Sequence, residues 1–371
     1  MRIIIAGAGD VGFHLAKLLA YESHDITIID TDDEKLQYIS NHLDVQTTKG
    51  NSTSFRVLED AQISKADLLI SVTESEATNI STSIIGKNLG AKKTIARVTN
   101  TEYLHNKDVL DLKDIGIDEI ISPESLAAKE IKRLLKQTAL TDLFDFENGM
   151  LSLVGITIDE DSELNGKTLV EAAYLNPDNS FITVAILRSG ETIIPHGENK
   201  FLVNDHAYFI CQPDGVDRVL DLAKKKQTPI KNIMILGGSK IGIQAAYQLS
   251  KKYNIKLIEQ NRDKCFELAD YLPNTMIING DGRDVELLKE ESIEEMDAFI
   301  AVTGNSETNI ISSLVAKNNK VAKTISLVEN MDYIHLSQNI GVDTMINKKL
   351  IAASFIFRYI RYTFSFNFIR S

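Results

Sequence analysis

A ten-residue pattern occurs twice in the chain, as Ile3-Ile4-Ile5-Ala6-Gly7-Ala8-Gly9-Asp10-Val11-Gly12 and as Ile233-Met234-Ile235-Leu236-Gly237-Gly238-Ser239-Lys240-Ile241-Gly242. The offset of 230 residues, set by Gly7 and Gly237, persists downstream. Asp67-Leu68-Leu69-Ile70-Ser71-Val72-Thr73 maps onto Asp297-Ala298-Phe299-Ile300-Ala301-Val302-Thr303, and Thr78-Asn79-Ile80 onto Thr308-Asn309-Ile310. The fold must therefore hold two copies of one unit. In each copy short β-branched runs alternate with longer segments of helical periodicity, the pattern of a parallel sheet crossed by helices. The first copy predicts strands near Arg2–Ala6, Asp25–Asp30, Val45–Lys49, Leu68–Thr73, Thr94–Val98 and Glu119–Ile121. Leu15, Leu18 and Leu19 form an apolar helical stripe after the glycine pattern, as do Ile80, Ile84 and Ile85 after Thr73.

A glycine triplet of this kind is a weak signal alone. Here it follows a predicted strand, opens a predicted helix and has an acid at the end of the next strand, which is the dinucleotide-binding Rossmann context. Gly7 allows the tight turn, Gly9 lets the backbone approach a pyrophosphate, and Gly12 permits close packing of helix on sheet. The helix N-terminus then receives the anion. Asp30, 18 residues beyond Gly12, is placed to bond the adenosine ribose hydroxyls, and Asp32 and Asp33 would repel a 2′-phosphate, which favours NAD over NADP. In the second copy Ser239 replaces the middle glycine, while Gly237, Gly242 and the strand-terminal Glu259 remain. Arg97 has Leu327 as its counterpart, so the second copy is expected to lack a cation able to pair with phosphate.

At 371 residues the chain has room for two or three domains. Between the copies, Val154–Ile158, Phe181–Ile186 and Ala207–Cys211 read as strands, with turns at Gly190, Gly197 and Asn204-Asp205. A polar linker with Pro229 follows. The expected architecture is α/β: a first Rossmann-like, doubly wound parallel-sheet domain over residues 1–137, a small α+β domain over 138–226, a second Rossmann-like domain over 227–361, and an atypical aromatic tail over 362–371.

The formal charge of −12 comes from acids spread along the chain, which argues against nucleic acid as a partner. Cys211 and Cys265 have no metal-ligand spacing around them and suit a reducing cytoplasm. The first residues read as a buried strand rather than a signal peptide. No apolar run approaches the ~20 residues that cross a bilayer as a helix. Hydride transfer would need an acid–base group beside a nicotinamide, and the seven histidines are scattered through helix, loop and turn contexts without a partner at sensible spacing. The expectation is a protein that is not an enzyme, with an NAD-dependent oxidoreductase as the alternative.

Gly7 through Gly12, Asp30, Val72-Thr73, Asn79 and Ala96-Arg97-Val98, repeated with variations from Ile233, resemble the TrkA family. These are peripheral regulatory subunits of bacterial Trk potassium uptake systems, built from RCK (KTN) domains. Leu164-Asn165-Gly166-Lys167-Thr168-Leu169 and Pro195-His196-Gly197 resemble the RCK C-terminal subdomain, and the likeness covers about residues 1–361. It implies that NAD(H), or ATP or ADP, is held by Gly7, Ala8, Gly9, Asp10, Val11, Gly12, Asp30, Asn51, Thr73, Glu74 and Arg97. In the second copy it implies Gly237, Gly238, Ser239, Lys240, Ile241, Glu259 and Thr303. It further implies a ring, commonly a homotetramer, on the cytoplasmic face of the membrane. There it would gate a separate integral-membrane potassium-translocating subunit of the TrkH/TrkG kind through ligand-dependent ring conformation. One departure is expected: the pattern dissolves after Ala353, so a second RCK C-terminal subdomain is missing and the aromatic tail reads as a truncated or altered end. The first copy, with the full fingerprint, is expected to be the principal sensor.

Overall fold

The computed structural model describes residues 1–22, 24–100, 102–105, 111–136, 140–146, 150–225, 229–330, 333 and 341–365. The boundaries expected near Gln137 and Gln227, His335, and residues 366–371 of the aromatic tail lie outside them.

The first copy forms strands β1 (Arg2–Ala6), β2 (Asp25–Asp30), β3 (Gln46–Lys49), β4 (Leu68–Ser71), β5 (Lys93–Arg97) and β6 (Glu119–Ile121). They pair in parallel in the order β3-β2-β1-β4-β5-β6. Between them run α1 (Asp10–Ala20), α2 (Asp33–His42), α3 (Phe55–Asp60), α4 (Glu76–Asn88) and α5 (Glu102–His105), and α6 (Pro123–Lys136) follows β6. Ile3, Ile4 and Ile5 are all fully buried, because helices cover both faces of a parallel sheet and leave no polar side to alternate with. Asp32 caps α2 and Ser75 caps α4 through side-chain oxygens, which fixes where those helices begin. Strand order reverses between β1 and β4, which opens the crevice beyond their carboxyl ends where doubly wound sheets bind ligands.

The middle segment forms an antiparallel sheet, β10-β9-β11-β8-β7, from β7 (Asp142–Phe146), β8 (Leu151–Thr157), β9 (Phe181–Arg188), β10 (Glu191–Ile193) and β11 (His206–Cys211). Helices α7 (Leu169–Tyr174) and α8 (Pro213–Leu222) accompany it. Val154, Ile156, Phe201 and Phe209 are fully buried in its core. Three of these strands fall where the pattern places them. β7 and β10 do not announce themselves, since each is a short edge strand carrying acids at Asp142, Asp145 and Glu191.

The second copy repeats the first: β12 (Asn232–Leu236), α9 (Lys240–Leu249), β13 (Asn254–Glu259), α10 (Arg262–Tyr271), β14 (Thr275–Asn279), α11 (Val285–Glu290), β15 (Ala298–Ala301), α12 (Ser306–Asn318), β16 (Lys323–Leu327) and β17 (Thr344–Ile346). Its strand order, β14-β13-β12-β15-β16-β17, is the same topology. The last described helix, α13 (Lys348–Ser365), belongs to a different body. The chain divides into two compact units, Met1–Ala127 with the segment from Asn347, and Ala128–Ile346. Within the first, Ala352, Ala353, Ile356 and Ile360 of α13 share a core with Leu15 and Leu19 of α1. Burying a side chain such as Ile356 contributes about 1.5–3 kcal/mol. Within the second unit, Lys323 of β16 is almost wholly buried and donates to the Leu140 carbonyl at 2.8 Å.

Candidate functional site

The turn from β1 into α1 is built on two steric demands. Gly7 has φ +116, and a Cβ there would lie 2.9 Å from the Thr73 nitrogen, so no side chain fits. A Cβ on Gly12 would lie 1.9 Å from the Gly7 carbonyl oxygen. Gly9 differs: it has φ −72 and nothing within 4 Å of a built Cβ. It precedes α1 without a side-chain cap, leaving first-turn amides free for an anion. Asp30, ending β2, accepts from the Ala8 nitrogen at 2.6 Å and the Asp32 nitrogen at 2.9 Å, which locks the acid under the loop. Ala8 and Val11 are buried, whereas Asp10 points outward and pairs with Lys349 of α13 at 2.5 Å. Sequence reasoning missed Lys349, since only tertiary packing brings it to this loop.

The far wall is organised by Asn79. Its Oδ1 accepts from the Thr73 nitrogen at 2.8 Å and Oγ1 at 2.7 Å, and its Nδ2 donates to the carbonyls of Thr73 and Arg97, both at 3.0 Å. Asn309 makes the same four bonds to Thr303 and Leu327. This buried amide ties the ends of adjacent strands together, and its recurrence at the repeat offset is the signal that marks it. The Arg97 side chain is only 19% exposed and its nearest acid, Glu124, is 4.0 Å away. It is therefore not a solvated surface residue. Arg97 Nε and Glu124 Oε2 are buried with no hydrogen-bond partner among the described residues, a state that native proteins keep where another group is to be met. Glu74 is exposed beside Thr73. Asn51 Oδ1 accepts from the nitrogen and Oγ1 of Thr53, each at 2.9 Å.

The second copy keeps the frame and changes the lining. Gly237 has φ +103, and a Cβ on Gly242 would lie 2.1 Å from its carbonyl oxygen. Ser239 is no mere small substitute: it donates to the Val302 carbonyl at 2.6 Å and caps α9 by accepting from the Gly242 nitrogen at 3.2 Å. Glu259 accepts from the nitrogens of Gly238 at 3.0 Å and Asn261 at 2.9 Å and lies 3.3 Å from Lys264. Burial works to raise its carboxyl, but Asn261, Lys264 and Gly238 outweigh burial and hold it below the usual range. Gly237, Ser239, Glu259, Lys264, Asp281, Arg283 and Thr303 line a cleft of about 550 Å³. The expectation that this copy lacks a phosphate-pairing cation fails: Arg97 is indeed replaced by Leu327, but Lys264 and Arg283 enter from other elements. Lys240 is exposed in the first turn of α9, and Ile241 is buried behind it.

The Cys211 thiol is fully buried and pushed up to about 12 by that burial, which removes it as a nucleophile at neutral pH. Burial also lowers His14, His24 and His206. Among the described residues no group of three His, Cys, Asp or Glu could hold a metal ion, and no helix is long and apolar enough to cross a membrane.

The TrkA-N domain matches residues 3–123 and again 233–348, and the TrkA-C domain matches residues 153–224. The Trk system potassium uptake protein TrkA of Haemophilus influenzae is 34% identical over 363 residues, spanning 97% of this chain and 79% of that protein. TrkA of Halomonas elongata is 32% identical over 362 residues, with the same two coverages of 97% and 79%. Among solved structures, the GsuK channel bound to NAD aligns with a TM-score of 0.66 at 16% identity, over 98% of this chain and 64% of that one, a likeness of fold. With two TrkA-N domains flanking a TrkA-C domain, and about a third of its residues shared with TrkA over nearly its whole length, the chain belongs to the TrkA family of Trk-system potassium uptake proteins.

Proposed function

We propose that this chain is the nucleotide-sensing regulatory subunit of its potassium uptake system, peripheral on the cytoplasmic face, working as a homotetrameric ring beneath a TrkH/TrkG-like potassium-translocating membrane subunit. The observation that carries the reading is the pair of glycine-loop crevices, each with an acid bonded under the loop. The cradle suits an adenine nucleotide. Open space over Gly9 admits a pyrophosphate to the first turn of α1, and Asp30 presents its carboxylate edge to a ribose. Asn51, Thr73, Glu74 and Arg97 are the side chains and backbone left to hold the rest. In the second copy those parts fall to Gly237 through Ile241, Glu259 and Thr303. The GsuK channel binds NAD on the same fold, which supports NAD(H) as the ligand alongside ATP or ADP.

The role is regulatory rather than catalytic. A bound nucleotide supplies binding free energy, and it moves the ring only to the extent that its affinity differs between two conformations. The chain's part is to make that difference: the Asn79 clamp couples the Thr73 wall to the Arg97 strand, so closing on a ligand shifts both. Calorimetric titration of the purified chain with NAD, NADH, ATP and ADP tests the reading, and Gly9→Asp should weaken binding at the first crevice about a hundredfold by facing the phosphates with a carboxylate. Failure of every nucleotide to bind would sink it, and sustained oxidation of NADH in a substrate screen would replace it with an oxidoreductase.

A further inference from the structure

The antiparallel sheet and the second parallel sheet lie in one compact unit, and a hydrogen bond crosses between them where Lys323 Nζ donates to the Leu140 carbonyl at 2.8 Å. Leu140 is anchored on the antiparallel side. Its side chain is buried in that sheet's core, and the next nitrogen, of Thr141, donates to the Gly155 carbonyl of β8 at 2.9 Å. Lys323 is anchored on the other side, opening β16 and pairing with Ala298 of β15. Each of the two residues is 1% exposed. The counterpart of Lys323 at the repeat offset is Lys93, which opens β5. Lys93 is half-buried, and its amine has no hydrogen bond or ion pair among the described residues. The same backbone position therefore carries a lysine in both copies, and the second copy encloses it.

A protonated amine has three N–H groups to place, and the described residues offer that of Lys323 one acceptor, the Leu140 carbonyl. The charges that face it are Asp343, just before β17, Asp142 of β7 and Lys317 of α12. Both acids are engaged elsewhere. Asp343 accepts from the Thr324 nitrogen at 2.8 Å, from its Oγ1 at 2.9 Å and from Lys317 at 2.6 Å. Asp142 accepts from Thr141 Oγ1 at 3.2 Å and from the Tyr208 hydroxyl of β11. Burial outweighs the pull of the two acids and, with Lys317 adding repulsion, pushes the amine down to about 8. An amine released to water returns to about 10.4.

We propose that this join is a proton-linked hinge: lifting the antiparallel sheet off the second parallel sheet uncovers Lys323, which takes up a proton, so that alkalinity holds the join closed and acidification releases it. The open form binds more protons wherever the enclosed amine is neutral and the released one charged. Between pH 7 and pH 9 the opening constant should therefore fall about tenfold. Below about pH 7 the amine is charged in both forms and the constant levels off. His206, lowered by burial, and Tyr208, raised by burial and by Asp142, titrate outside that window. The device is separate from nucleotide binding, since Lys93 and Lys323 open their strands at the ends away from the glycine loops.

The test pulses the full, unaltered chain with acetic anhydride, limited to less than one acylation per chain, and reads Lys323 against Lys93 by peptide mass spectrometry. Lys93 corrects for the reagent and for the titration of a released amine, so the ratio of the two tracks the open fraction. It should fall about tenfold from pH 7 to pH 9 and flatten below pH 7. A ratio that is constant or rises over that range would overturn the hinge. Parallel pulses of iodoacetamide read Cys211, which is fully buried in the core of the antiparallel sheet. A hinge leaves that core intact, so Cys211 should stay unmodified while Lys323 reacts. Exposure of Cys211 as frequent as that of Lys323 would mean that the sheet unfolds instead of lifting, and would overturn the hinge as well.

Discussion

Gly9 and Gly12 belong to the same sequence fingerprint and meet opposite surroundings. A methyl on Gly12 would be driven into the Gly7 carbonyl at 1.9 Å, whereas one on Gly9 would meet nothing within 4 Å. Gly12→Ala should therefore cost about 1–3 kcal/mol of stability by overpacking, and Gly9→Ala less than about 0.5 kcal/mol, both read by urea unfolding. Equal losses would show that the helix does not seat on the loop as described. This part of the site was legible in the sequence because its constraint is local: a turn that tight admits only glycine wherever the chain goes next. Asp30 and Glu259 were legible for the same reason, each ending a strand at a fixed distance from its loop. Arg283 and Lys349 were not. Arg283 matters through the loop after β14, and Lys349 through a helix at the opposite end of the chain, so neither leaves a mark near the motif it serves. Arg97 was singled out by its place on a strand edge, but its burial, and the lack of a partner for its Nε among the described residues, depend on packing that no residue pattern encodes.

Helix α13 extends well beyond the repeat and packs where no sequence pattern pointed. The segment Asn347 through Ala353, which opens it, matches Ser122 through Ala128 at the start of α6. The repeat says nothing of which α1-like surface that helix covers. It lies on α1 itself, burying Ala352, Ala353, Ile356 and Ile360 and placing Lys349 against Asp10. The ion pair is half in solvent on the Asp10 side and contributes at most about 1 kcal/mol; the apolar face holds the helix. Ile356→Asp should remove about 3 kcal/mol or more from the first unit by burying a carboxylate. It should also move His14 upward. That imidazole is lowered by burial first, with Asp10 opposing and Lys17 and Lys349 assisting, so undocking α13 takes away the Lys349 share. An NMR titration of His14 that is unchanged in a destabilised Ile356→Asp chain would separate the helix from the loop.

At the scale of the molecule, the repeat implied that both parallel sheets share one strand order, as they do, and right-handed crossovers narrow the choices for that order. It did not foretell that the antiparallel sheet and the second parallel sheet would form one unit, nor what joins them. Lys323 is part of that join. Its amine, enclosed beside β16, reaches the Leu140 carbonyl just before β7, and burial pushes it down to about 8 against the pull of Asp343 and Asp142, with Lys317 adding repulsion. An unfolded chain keeps that amine near 10.4. Between about 8 and 10.4 the unfolded state therefore binds more protons, so stability should rise with pH across this window. Below it the protonated amine costs the fold about 3 kcal/mol, taking 1.36 kcal/mol per pKa unit. Other lysines and tyrosines titrate over the same range, so the comparison is with Lys323→Met, which fits the apolar surroundings and has no charge to lose. The unaltered chain should gain on this variant as pH climbs from 8 to 10 in urea unfolding of the second unit, and parallel curves would mean that the amine is solvated rather than enclosed.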